Sequence, residues 1–93
     1  MDPITVDEAL AEGMEWERQG DELVKTRRGK NFAGALAYVN EVGALAEAMD
    51  HHPDIDIRWN TVTLRLSTHS EGGITGLDLE LARRIDALSS PGG

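Results

Sequence analysis

The chain contains no cysteine, which excludes disulfide staples and thiolate metal sites together. No apolar stretch approaches the length of a membrane span, and Met1-Asp2-Pro3 opens no signal peptide. Membrane insertion is therefore not expected, and the cytosol is the expected compartment. Cationic charge is also scarce. Nine Lys and Arg stand against 17 Asp and Glu, for a net charge of −8. Such a surface repels a phosphate backbone, so direct nucleic-acid binding is not expected. The one basic cluster, Lys25, Arg27, Arg28 and Lys30, reads as the exposed side of a strand and its turn. A glycine-rich phosphate loop is missing too, because Gly72-Gly73 lacks the lysine and the spacing. Ser67 and Ser70 flank His69 without a nucleophile-elbow sequence around them.

What is present fits one small domain, 1–93, with 89–93 as a frayed tail. A chain of 93 residues buries only roughly 60–65% of the surface that its unfolded form exposes. With disulfides excluded, self-association is the expected support at this size.

Thr5-Val6-Asp7-Glu8 has the form of a capping box, with a short helix to about Glu12 and Gly13 as its stop. Met14 to Gln19 alternates as a strand, Gly20-Asp21 is turn chemistry, and Glu22 to Arg28 returns as a hairpin. One uninterrupted helix spans Asn31 to Asp50. Its apolar residues fall on two adjacent faces: Phe32, Leu36, Val39, Gly43 and Ala46 on one, and Tyr38, Val42, Leu45 and Met49 on the other. An arc that wide fits either a broad core face or a helix that also meets a partner. Ile55, Ile57 and Trp59 mark a third strand, Asn60-Thr61 a tight turn, and Val62, Leu64 and Leu66 the inner side of a fourth. Thr75-x-x-Asp78 starts a last helix, which Leu77, Leu81, Ile85 and Leu88 continue. The order α-β-β-α-β-β-α leaves no room for parallel crossovers. The expected fold is α+β, a four-stranded antiparallel sheet with three helices packed on one face.

All three histidines, His51, His52 and His69, fall at element ends, where loops place side chains over a cleft on a rigid frame. Together with Asp50 or Asp78 they could supply a zinc site. Adjacent histidines on a helix, however, point about 100° apart. Two imidazoles lining different walls of one pocket is the more economical arrangement. Imidazoles titrate near neutrality and suit proton transfer in both directions.

The run Glu47-x-x-x-His51-His52-Pro53, followed by Trp59, His69 and Asp78, resembles the signature of the pterin-4a-carbinolamine dehydratase family. Ser67-Thr68-His69, Asp50 ahead of the histidine pair, Trp16 and Lys30-Asn31-Phe32 are similar to family members as well. The resemblance implies the fold just given, a homodimer or homotetramer, and dehydration of a 4a-hydroxytetrahydropterin to the quinonoid dihydropterin. It implies no metal and no cofactor, the pterin being the substrate. His51, His52 and His69 would line the site, with His51 and His69 as proton donors and His52 as the base. Pro53, Thr68, Ser70 and Glu71 would form its walls, with Asp50 beside the pair. Glu47, one helical turn before His51, would orient that ring. Asp78 would hold His69 or contact the pterin while also capping its helix. Trp59 and Trp16 would be packing residues. Ile55 replaces an aromatic of well-known animal members and Glu71 a neutral residue; both changes bear on substrate affinity. Some family members also act as dimerisation or assembly factors, so the resemblance leaves a non-catalytic binding protein as the alternative.

Overall fold

The computed structural model describes residues 15–88. The first expected helix, Met14 and the 89–93 tail lie outside them. Four strands and two helices follow in order: β1 (Glu17–Gln19), β2 (Glu22–Arg28), α1 (Phe32–Met49), β3 (Asp54–Arg58), β4 (Thr61–Leu66) and α2 (Gly76–Asp86), with a 3-10 turn at His69–Glu71 before α2. Every pairing is antiparallel and the strand order is β1-β2-β4-β3. The fold is α+β with a four-stranded antiparallel sheet. It carries two helices among the described residues rather than three.

The β1–β2 turn is Gly20-Asp21, with Gly20 at φ 61, a left-handed conformation that glycine adopts without steric cost. Strict alternation on β4 buries Val62, Leu64 and Leu66 completely, and Leu23 of β2 sits opposite Leu66 on the same face. Against this face α1 lays Ala35, Tyr38, Val42 and Ala46, and α2 lays Leu79, Leu81, Ala82 and Ile85. Removing one such leucine, for example Leu64→Ala, costs about 2–5 kcal/mol.

Several side chains and one turn settle differently from the plain sequence pattern. On α1 the face that meets the sheet is the one carrying Tyr38, Val42 and the partly buried Leu45 and Met49, joined by Ala35 and Ala46, while Phe32 and Leu36 stay exposed. On α2, Leu77 is exposed and Leu79 is buried in its place. Trp59 occupies the β3–β4 turn at φ 57, is 67% exposed and stacks on Phe32 with ring centroids 6.5 Å apart. It therefore does not pack behind the histidine pair. The turn is Trp59-Asn60, since Arg58 pairs with Thr61. Asn60 fastens it to the end of β2, with Nδ2 donating to Gly29 O at 2.9 Å and its carbonyl accepting from Gly29 N at 2.7 Å.

Lys25 departs furthest from the sequence pattern. It is buried on the helix-facing side of β2, with Nζ 2.5 Å from Asp86 Oδ1, 3.3 Å from Glu15 Oε2 and 5.8 Å from the Trp16 ring centre. The Trp16 indole donates to the same Asp86 oxygen at 2.9 Å. An inward lysine on an amphipathic strand is tolerable only because a carboxylate and an aromatic face meet its ammonium.

Candidate acid–base site

Helix α1 ends in a way that decides where the histidines go. Asp50 adopts the left-handed conformation (φ 50, ψ 43), and the backbone N–H groups of Asp50 and His51 turn back to the carbonyls of Glu47 and Ala46. This closes the last turn and swings the chain off the helix line. His51 is carried away from Glu47 and toward α2. Its Nε2 lies 2.5 Å from Oδ1 of Asp78, and its side chain is 11% exposed. Glu47 instead pairs with Nε2 of His52, an exposed contact on the surface of the site. The expected relation between Glu47 and His51 assumed a continuous helix; the reversal at Asp50 hands Glu47 to the next residue.

Asp78 is wholly buried. It is the third residue of α2 and completes a capping box with Thr75, its Oδ2 accepting from Thr75 N at 2.8 Å. The same oxygen accepts from the Thr68 hydroxyl at 2.8 Å, and the Thr68 and Thr75 hydroxyls are 2.7 Å apart. A buried carboxylate persists where its lone pairs are taken up, and the positive end of α2 adds to that stabilisation. Asp78 therefore holds His51, not His69.

Thr68 continues the inward alternation of β4 past Leu66 and is itself buried. Its backbone bridges Gly73, N to O at 2.8 Å, which closes the loop bearing the 3-10 turn. His69, Ser70 and Glu71 stand exposed on that loop, and the His69 ring makes no hydrogen bond to a described residue. Because Asp54 at the start of β3 pairs with Arg65 near the end of β4, the His51-His52-Pro53 segment and the Thr68-His69 segment meet at the same end of the sheet. Pro53 is half-buried there, and Asp50 is exposed, its backbone spent on the helix cap.

The structure thus joins His51, Thr68 and Asp78 in one network and places His52 with Glu47 in a second. His69, Ser70 and Glu71 stand on the adjoining loop. Among the described residues no three His, Asp or Glu side chains converge as a ligand set for a metal ion, and no enclosed cavity forms. None of the described helices is long and apolar enough to cross a membrane. The sequence reading missed the Thr75 hydroxyl and the burial of Thr68. The signals were there: the period of β4 extended by one more step, and the capping box at Thr75.

Fold and site together define a small α+β domain with histidine–carboxylate pairs at one end of its sheet. The sequence matches the family described as pterin 4 alpha carbinolamine dehydratase over residues 1–88, and the chain belongs to that family. Relatives that carry the family's name include a protein of Nocardia farcinica, 53% identical over 87% of this chain and 85% of its own length. Another, from Thermomicrobium roseum, is 52% identical over 97% of each chain. Among solved structures, the transcriptional coactivator/pterin dehydratase from Brucella melitensis superposes with a TM-score of 0.86 at 30% identity, covering 94% of this chain and 95% of that one. A pterin dehydratase-like protein identified as a RuBisCO assembly factor in the alpha-carboxysome is similar with a TM-score of 0.67 at 26% identity, over 81% of this chain and 89% of its own.

Proposed function

We propose that the protein dehydrates a 4a-hydroxytetrahydropterin to the quinonoid dihydropterin by histidine acid–base chemistry. The observation that carries this reading is the pairing of His51 with buried Asp78 beside the Thr68-His69 loop, in a chain of this family. The names of the relatives point the same way.

The reaction needs two proton movements. An acid protonates the departing hydroxyl, the C4a–O bond breaks and water leaves. A base removes the N5 proton, and the electron pair freed there closes the C4a–N5 double bond. In this reading His51 and His69 stand on the acid side and His52 is the base, with Glu47 holding its ring. Asp78 holds the His51 ring in place from the core side. Asp50, Pro53, Ser70 and Glu71 form the rim. No metal or cofactor has a part in these steps. Self-association belongs to the same reading, and the exposed Phe32, Leu36 and Trp59 supply apolar surface for it.

The test is to generate the 4a-hydroxytetrahydropterin in situ and follow its loss with and without the protein, with a chelator present. Acceleration that the chelator leaves unchanged is expected. Loss at the spontaneous rate would end the dehydratase reading, and chelator sensitivity would bring a metal into it.

A further inference from the structure

The polar chain behind His51 has a direction that the donors and acceptors determine. As a carboxylate, Asp78 can only accept. Its Oδ2 receives the Thr75 backbone N–H, at 2.8 Å, which can only donate, and the Thr68 hydroxyl at 2.8 Å. The single Thr68 hydrogen is spent on Asp78, so at the 2.7 Å contact between the two hydroxyls Thr75 must donate and Thr68 accept. Thr75 Oγ1 is free to do so, since its other contacts are acceptances, from Leu77 N at 3.3 Å and from the Asp78 backbone N–H of the capping box. Every hydrogen in the chain therefore points toward Asp78. The remaining contact, Oδ1 with His51 Nε2 at 2.5 Å, obeys the same rule and requires Nε2 to carry a hydrogen.

We propose that Thr68, backed by Thr75, is a positioning residue: it pins Asp78 so that Oδ1 faces His51, and the carboxylate in turn holds neutral His51 as the Nε2–H tautomer and leaves Nδ1 as the nitrogen that exchanges protons. The catalytic weight of this arrangement rests on the dehydratase reading; the tautomer does not. An imidazolium that gives up its Nδ1 proton arrives directly at the tautomer the chain stabilises, with no ring flip. If Nε2 gave up the proton, Asp78 Oδ1 would be left facing a bare lone pair. Burial gives the carboxylate no water with which to repair that loss. The two threonines also fix the carboxylate's orientation, because Oδ2 is pinned by two donors and only Oδ1 is left for the imidazole.

The arrangement makes an asymmetric prediction for Asp78→Asn. Thr75 N–H and the Thr68 hydroxyl would keep the amide oxygen on their side and present the amide NH2 to His51. Nε2 would then have to accept, and the neutral ring would become the Nδ1–H tautomer.

Nitrogen-15 NMR of ring-labelled histidine in the whole protein reads this without any substrate, and the chain has only three histidines to assign. Wild-type His51, once neutral, is expected to show a protonated Nε2 and a bare Nδ1. Thr68→Val is expected to keep that tautomer but weaken the contact, moving the His51 Nε2–H proton upfield; Thr68→Ser is expected to restore the wild-type shift, and Asp78→Asn to reverse the tautomer. In turnover, Thr68→Val is expected to lower kcat by about tenfold with little change in KM, and Thr68→Ser to recover most of that loss. A wild-type His51 with the Nδ1–H tautomer overturns the proposal without any variant, and so does an unaltered His51 Nε2–H shift in Thr68→Val. A wild type that holds the Nε2–H tautomer, with a His51 Nε2–H shift that moves in Thr68→Val, yet does not accelerate dehydration, removes the dehydratase reading and leaves the role of Thr68 standing.

Discussion

Nε2 of His51 lies 2.5 Å from Oδ1 of Asp78, tying the residue that leaves α1 to the first turn of α2. This contact belongs to the site and to the core at once, because Asp78 is fully buried. The other histidine–carboxylate pair, His52 with Glu47, is exposed on both sides.

The two pairs should therefore separate in a stability measurement. His51→Ala leaves the buried Oδ1 of Asp78 without its donor, at a cost of about 1–3 kcal/mol. His52→Ala removes a solvent-screened pair worth about 0–1 kcal/mol. Both substitutions should reduce dehydration, by about a hundredfold or more where the lost group moves a proton. Urea unfolding of the two variants beside the wild type checks the difference. Equal losses of stability would show that Asp78 does not depend on His51 for a partner.

Trp59 is an exposed aromatic with a left-handed backbone, at φ 57. A left-handed non-glycine residue costs about 1–2 kcal/mol, and an aromatic pair such as Trp59 with Phe32 returns about 0.5–1.5 kcal/mol. Trp59→Ala loses the stack and keeps the strain. Trp59→Gly loses both, partly offset by the extra freedom of glycine in the unfolded chain. The glycine variant should be the more stable of the two by about 0.5–1 kcal/mol in denaturant unfolding. The reverse order would mean that the turn carries no strain.

Much of this frame is legible in the residues themselves. The bounds Glu22–Arg28, the alternation Val62-Leu64-Leu66 and the capping box from Thr75 to Asp78 are local patterns, and each appears as read. The misreadings share one cause, which is that the partner lies far along the chain. Lys25 looks like a strand's wet side until Asp86 meets it from 61 residues away. Trp59 looks like the last inward residue of β3 until the hairpin register makes it a turn residue. The histidines were plain as a cluster, but their partners were not. A spacing of four residues joins Glu47 to His51 only while the helix continues, and the left-handed Asp50 ends it.

The Tyr38 hydroxyl is buried and finds no hydrogen-bond partner among the described residues. Its ring packs in the core and lies under the Arg27 guanidinium at 5.3 Å. An unsatisfied buried hydroxyl is a cost that phenylalanine does not bear. Tyr38→Phe should leave the protein as stable as the wild type or more so, by up to about 1 kcal/mol, where most core substitutions destabilise. Thermal unfolding of the variant decides it, and a clear loss would reveal a hydrogen bond to that oxygen in solution.

The same corner of the core should set the alkaline limit of the fold. Burial alone draws the Lys25 ammonium down. The Asp86 carboxylate, the neighbouring Tyr38 and Glu15 outweigh it, so Lys25 titrates above its ordinary 10.5. Burial pushes the Tyr38 phenol above its ordinary 10.0, against the opposing pull of Lys25 and Arg27. Both groups keep their protons longer in the folded chain than in the unfolded one. Where the folded state binds more protons, stability falls as pH rises. The contribution of the pair is therefore fully present at neutral pH, begins to decline near pH 10, and is lost as the pH passes the folded values. Tyr38 is the single tyrosine of the chain, so phenolate absorbance reports it directly. The native protein should ionise it at higher pH than the urea-unfolded chain. The fall in unfolding free energy above about pH 10 should be shallower in Tyr38→Phe and in Lys25→Met than in the wild type. A tyrosine that titrates alike in the folded and unfolded chains would place the alkaline limit elsewhere.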